Sequence, residues 1–144
     1  MKVLRWEGER KTKCLIHHGS QVQDMIIGQE GTPLEHKIVT ADWYNFCKIS
    51  NIQTGKRVRR IALGYPCKSL TVDKAQTLIA VGLAAGAGKV LFIDTRSLRI
   101  VKEVVLDINA SICSLTFNRR NDTLLAVASN GRGGNSEVYS LKFR

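Results

Sequence analysis

The chain has 144 residues, a net charge of +10 at neutral pH and 44% hydrophobic residues. That is enough for one domain with a real core. No window approaches the run of about 18 apolar residues that a membrane helix needs, and the opening MKVLRWEGERK has no apolar segment, so no signal peptide is expected.

Taken in chain order, the sequence breaks into short β-type runs separated by turns. KVLRWE (2–7) and KCLIHH (13–18) come first, followed by QVQDMII (21–27), HKIVTA (36–41), FCKISN (46–51) and RVRRIA (57–62). The next four are CKSLTV (67–72), TLIAVG (77–82), KVLFID (89–94) and RIVKEVV (99–105). ICSLTF (112–117), TLLAVA (123–128) and EVYSLK (137–142) close the chain. The runs are short and bounded by turn residues, and none shows helical periodicity.

The runs repeat. Ser69-Leu70-Thr71 recurs as Ser114-Leu115-Thr116, 45 residues on, and Thr77-Leu78-x-Ala80-Val81 recurs from Thr123 at a step of 46. Four strands per period of about 45 residues is the pattern of a propeller blade. The second run of each unit is almost wholly apolar, as expected of a strand covered on both faces. The count gives a half blade (1–18), two complete blades (19–62 and 63–106) and a three-stranded last blade (107–144).

GLAAGAGKV (82–90) imitates a phosphate loop, but Leu83 stands where the first glycine must be. Val90 follows Lys89 where a metal-binding hydroxyl is required. β-type runs flank it on both sides, so it reads as a hairpin with Gly86 and Gly88 at the turn. Cys14, Cys47, Cys67 and Cys113 have no C-x-x-C spacing and read as buried free thiols of a reducing compartment, cytoplasmic and/or nuclear. His17, His18 and His36 have no ligand-like spacing, so no metal or other cofactor is expected. Ser20, near His17, His18 and Asp24, lacks an elbow motif and reads as a turn; no catalytic residue is assigned and no enzyme is expected.

The units resemble WD40 repeats over essentially the whole chain. NIQTGK (51–56) stands where that family commonly has Asp-x-x-Thr-Gly-Lys, IDTRSLR (93–99) repeats the theme, and Trp6-Glu7 occupies the first Trp-Asp position. The later Trp-Asp positions read Ser50-Asn51, Ile93-Asp94 and Leu141-Lys142. The resemblance implies a buried network of His, Ser/Thr, Asp and Trp that stiffens a blade. His18, Thr40 and Asp42 are its candidates here, with Asp42 two residues early and the Trp missing, so an incomplete network is expected.

The resemblance also implies an all-β partial propeller, the C-terminal part of a longer ring, whose open ends self-associate or need a partner. Its usual role is a non-catalytic protein–protein interaction scaffold. On that frame one rim presents His18, Trp43, Tyr44, Tyr65 and Arg132, residue types that dominate interface energetics. The alternative is a subunit of an RNA-containing assembly such as ribosome-building machinery. Its contacts, to RNA or an acidic partner, would come from Lys56, Arg57, Arg59, Arg60, Lys74, Arg96, Arg119 and Arg120. Against that, GKRVRR also reads as a solvated strand with Val58 facing inward.

Overall fold

The computed structural model describes residues 2–7, 10–131 and 134–143, with side-chain burial from Ile16 onward. Among the described residues it is all-β, and its thirteen strands fall where the repeats predict except for the second. β1 (Lys2–Glu7) and β2 (Arg10–Leu15) form a hairpin. β3 (Val22–Ile27), β4 (Lys37–Asp42), β5 (Phe46–Asn51) and β6 (Arg57–Ala62) form an antiparallel meander in chain order. β7 (Cys67–Val72), β8 (Leu78–Leu83), β9 (Lys89–Asp94) and β10 (Arg99–Val105) repeat it. β11 (Ser111–Phe117), β12 (Thr123–Ser129) and β13 (Ser136–Lys142) make a third sheet of three strands. The sheets do not close into a ring, and the architecture is that of consecutive propeller blades.

The repeat extends to irregularities that composition does not show. Each inner strand carries a β-bulge, at Gln23, Lys68 and Cys113, one per period of 45 residues. The outer strands bulge at Val58 and Val101, 43 residues apart. A bulge turns a side chain out of the ladder and deepens the local twist.

Two cores lie between the sheets. One joins Val39, Ala41, Cys47, Ile49 and Ile61 to Leu70, Ile79, Val81, Leu91 and Ile93. The other joins Ala80, Val90 and Phe92 to Ile112, Leu115, Leu124 and Ala126. Strands β8 and β9 feed both cores with alternate side chains, which explains their unbroken apolar sequence. Gly82 lies against the third sheet. A Cβ there would stand 2.3 Å from Ser69 Oγ and 2.8 Å from the Ile112 carbonyl, while the Ser69 hydroxyl donates to that carbonyl at 2.6 Å. Nothing larger than glycine fits without a shift.

The GLAAGAGKV stretch is the β8–β9 hairpin. Gly88 holds φ +53°, and a Cβ on it would meet the Asp107 carbonyl oxygen at 1.5 Å. The Gly86 amide donates to the Ile108 carbonyl at 2.7 Å and the Gly88 amide to the Ala84 carbonyl at 3.1 Å. Amides already engaged in stitching two turns together are not free to wrap a phosphate.

Four expectations change. The fourth strand of the first unit ends at Leu15, and residues 16–18 belong to the following connection. Val58 is 50% exposed because it is the bulge residue; Ile61 points inward instead. Cys47 and Cys67 are buried and free, but Cys113 is exposed, again because it occupies a bulge. Strand β12 alternates between buried and exposed instead of being buried throughout, since among the described residues no sheet covers its outer face.

Candidate functional site: the rim of the blades

A meander of four strands puts alternate turns at opposite ends. One rim gathers the β2–β3, β4–β5, β6–β7, β8–β9, β10–β11 and β12–β13 connections. Its foundation is a polar cluster beneath the β4–β5 turn. His18 Nδ1 lies 2.8 Å from Asp42 Oδ2, and Nε2 lies 2.5 Å from Thr40 Oγ1. The same carboxylate accepts the Tyr44 and Phe46 amides through Oδ1, at 2.9 and 3.1 Å. The His18 side chain is fully buried, and burial holds its imidazole below the usual value, with Asp42 opposing that effect. A neutral ring fits this geometry: Nδ1–H donates to Asp42 and Nε2 accepts the Thr40 hydroxyl.

The early position of Asp42 therefore does not prevent the network from forming; only the Trp corner is absent. Lys48 stands opposite Thr40 across β4–β5 and donates its ammonium to the His17 carbonyl at 2.7 Å. His18, expected to face a partner, instead supports the rim from below.

Trp43, Tyr44 and Tyr65 are all exposed. The Lys68 ammonium sits 4.4 Å over the Trp43 ring, aimed there by its bulge, so the ring is held by the neighbouring sheet. The Tyr65 ring packs against Gly86, with only 3.4 Å between it and a would-be Cβ. Ile108 is exposed next to them, beside an open depression of about 700 Å³ lined by Ala85, Gly86, Ile108, Asn109, Asn130 and Gly131. Arg132 lies outside the described residues.

Two residues with structural weight at the sheet junctions escape sequence reading. Gln76 is buried with φ +54°. Its amide nitrogen donates to the Ile27 carbonyl, and its oxygen accepts from the Gln29 amide and the Thr32 hydroxyl. Asn121 stands 45 residues later, also left-handed at φ +59°, and accepts the Lys74 amide at 3.2 Å. The shared position, two residues before a second strand, is the signal that could have found them.

The basic residues fall into two groups. Lys74, Arg119 and Arg120 occupy adjoining turns of the opposite rim, tied by the Lys74–Asn121 bond, with Arg96 in the β9–β10 turn. Lys56, Arg57, Arg59 and Arg60 lie on and before β6, at the outer circumference. All eight are exposed.

The sequence matches no protein-family model and no curated protein. Among solved structures the chain is similar to U3-55K (12% identity, TM-score 0.66, 89% of this chain and 41% of that one). It is also similar to the WD40 repeats of RRP9 (12%, 0.66, 88% and 40%) and to Sqt1 of Saccharomyces cerevisiae (19%, 0.62, 84% and 35%). The chain thus spans less than half the length of each. At these identities the likeness establishes the fold, a partial WD40 propeller.

Proposed function

We propose that this partial WD40 propeller is a non-catalytic scaffold that docks another protein on the rim carrying Trp43, Tyr44, Tyr65 and Ile108. The observation that supports this is the fixing of exposed rings on a rigid base. Trp43 is clamped by Lys68, Tyr65 is seated on Gly86, and the turn beneath is pinned by Asp42. Rings already ordered lose little entropy when a partner covers them. The free thiols of Cys47 and Cys67 support a reducing compartment, cytoplasm or nucleus.

The test is quantitative co-purification from the native source with Trp43→Ala and Tyr65→Ala. The docking reading expects both to shed the same partner while thermal melting is retained. Unchanged partner recovery with both rings removed would refute it.

A second reading is RNA contact through the opposite rim, favoured by the bond that brings Lys74 beside Arg119 and Arg120. Phosphate contacts make affinity fall steeply with salt, and each lost contact lowers that slope by about one. Binding of duplex or single-stranded RNA whose salt slope is unaltered by Arg119→Ala with Arg120→Ala would remove this reading.

A further inference from the structure

The outer strands of the two four-stranded sheets share a bulge and differ in everything around it. Aligned on Val58 and Val101, β6 reads Arg57-Val58-Arg59-Arg60-Ile61 and β10 reads Ile100-Val101-Lys102-Glu103-Val104. In β10 the charge is mixed, and Glu103 is paired with Lys89 at 3.1 Å. In β6, Arg57, Arg59 and Arg60 are all exposed, Lys56 precedes them, and none of the four is ion-paired among the described residues. Among the described residues the strand pairs only with β5, leaving its outer edge without a ladder partner along six residues.

We propose that β6 is a docking strip for an acidic, extended polypeptide segment. Three observations select that occupant. Guanidinium groups match carboxylates in shape as well as charge, and Arg60 is already ordered, its guanidinium 4.6 Å over the Phe46 ring. Val58, half-exposed between Arg57 and Arg59, offers a place for one apolar side chain among the partner's acids. The bulge and the arginines prevent two copies of this edge from pairing with each other, and an acidic strand meets no such repulsion. Nucleic acid is less well served. Phe46, the ring beside the strip, is covered by Arg60 and offers no stacking platform, and phosphates gain nothing from Val58.

The experiment uses the full chain with two fluorescent probes, the peptide Glu-Asp-Leu-Glu-Asp-Glu and an oligouridylate of similar length. The peptide binds saturably, and Arg57→Gln with Arg59→Gln weakens it about tenfold or more, as expected for loss of two charge-assisted contacts. Val58→Asp weakens it as well, whereas Arg99→Gln with Lys102→Gln on β10 leaves it within about twofold. Thermal melting of each variant checks that the sheets persist. Failure of the peptide to saturate overturns the proposal. So does equal weakening by the β6 and β10 pairs, which would mean diffuse attraction. Tighter binding of the oligouridylate, lost with the same β6 variants, would make the strip a nucleic-acid surface instead.

Discussion

The second sheet and the third are built from nearly the same sequence and end in different environments. TLIAVG and TLLAVA differ little, yet β8 is buried from Ile79 to Leu83 while β12 alternates. The contrast is sharper one strand out, where β9 is buried through its middle and Val138 of β13 is 69% exposed. The difference is coverage. Among the described residues the second sheet has neighbours on both faces, and the third has one on the inner face only. A strand's burial is thus a property of the stack, with the sequence tuned to it in detail. Gly82 and Phe92 face the third sheet; the matching positions on the third sheet's outer face are Val127 and Ser140. Small-then-large has become large-then-small.

The largest effect expected from this contrast is at Phe92, which is fully buried and meets Phe143 edge-to-face at 5.3 Å. Phe92→Ala is expected to cost about 3–5 kcal/mol, against about 0.5 kcal/mol or less for Ser140→Ala, by denaturant unfolding. Comparable losses at the two positions would mean that the outer face of the third sheet is covered in solution.

Exchanging the paired residues comes next. Gly82→Val drives a side chain into Ser69 and the Ile112 backbone and is expected to cost about 3 kcal/mol. The reciprocal Val127→Gly is expected to cost about 1 kcal/mol, mostly backbone entropy and a small loss of packing. A reversed ranking would break the contrast between the covered and the uncovered face.

The first four-stranded sheet supplies a pH-dependent counterpart. The His18 imidazole is held below its ordinary value by burial, so above about pH 6.5 both folded and unfolded chains are neutral there and nothing is lost. As pH falls through that value the unfolded chain takes up a proton that the folded ring refuses, and stability declines until the folded pKa is passed. Unfolding midpoints at pH 7.5 and 5.5 are expected to differ more in the native chain than in His18→Gln. An unchanged difference would mean that His18 is not the titrating group.

The smallest effect is at Lys89, whose bond to Glu103 is a half-exposed surface pair. Lys89→Ala is expected to change stability by about 0.5 kcal/mol or less. ATP or GTP titrated into the native chain is expected to give no saturable signal. Saturation abolished by Lys89→Ala would restore the phosphate-loop reading of the hairpin.

Much of this is legible in the sequence. Period, strand order and hairpin identity follow from residue type, because alternation and turn chemistry act over a few neighbours. Three features are not. The bulges at Gln23, Lys68 and Cys113 leave no compositional trace, yet they decide that Lys68 covers Trp43 and that Cys113 is exposed. His18 had two expected places, the partner-facing rim and the buried network with Thr40 and Asp42. Only the folded chain, which brings those partners to the ring from more than twenty residues away, selects the second. Gln76 looked like an ordinary turn residue until the neighbouring sheet brought Ile27 and Gln29 to it.

By itself the sequence determined the unit: four short strands, their turns, and a repeat of about 45 residues. Those depend on local backbone preference and on side-chain period, which a chain carries wherever it folds. The tertiary structure alone decided which apolar strands are covered, that His18 sits in the buried network and not on the rim surface, and which arginines stay unpaired. Burial and charge pairing depend on what stands opposite a residue, and here that is a different sheet.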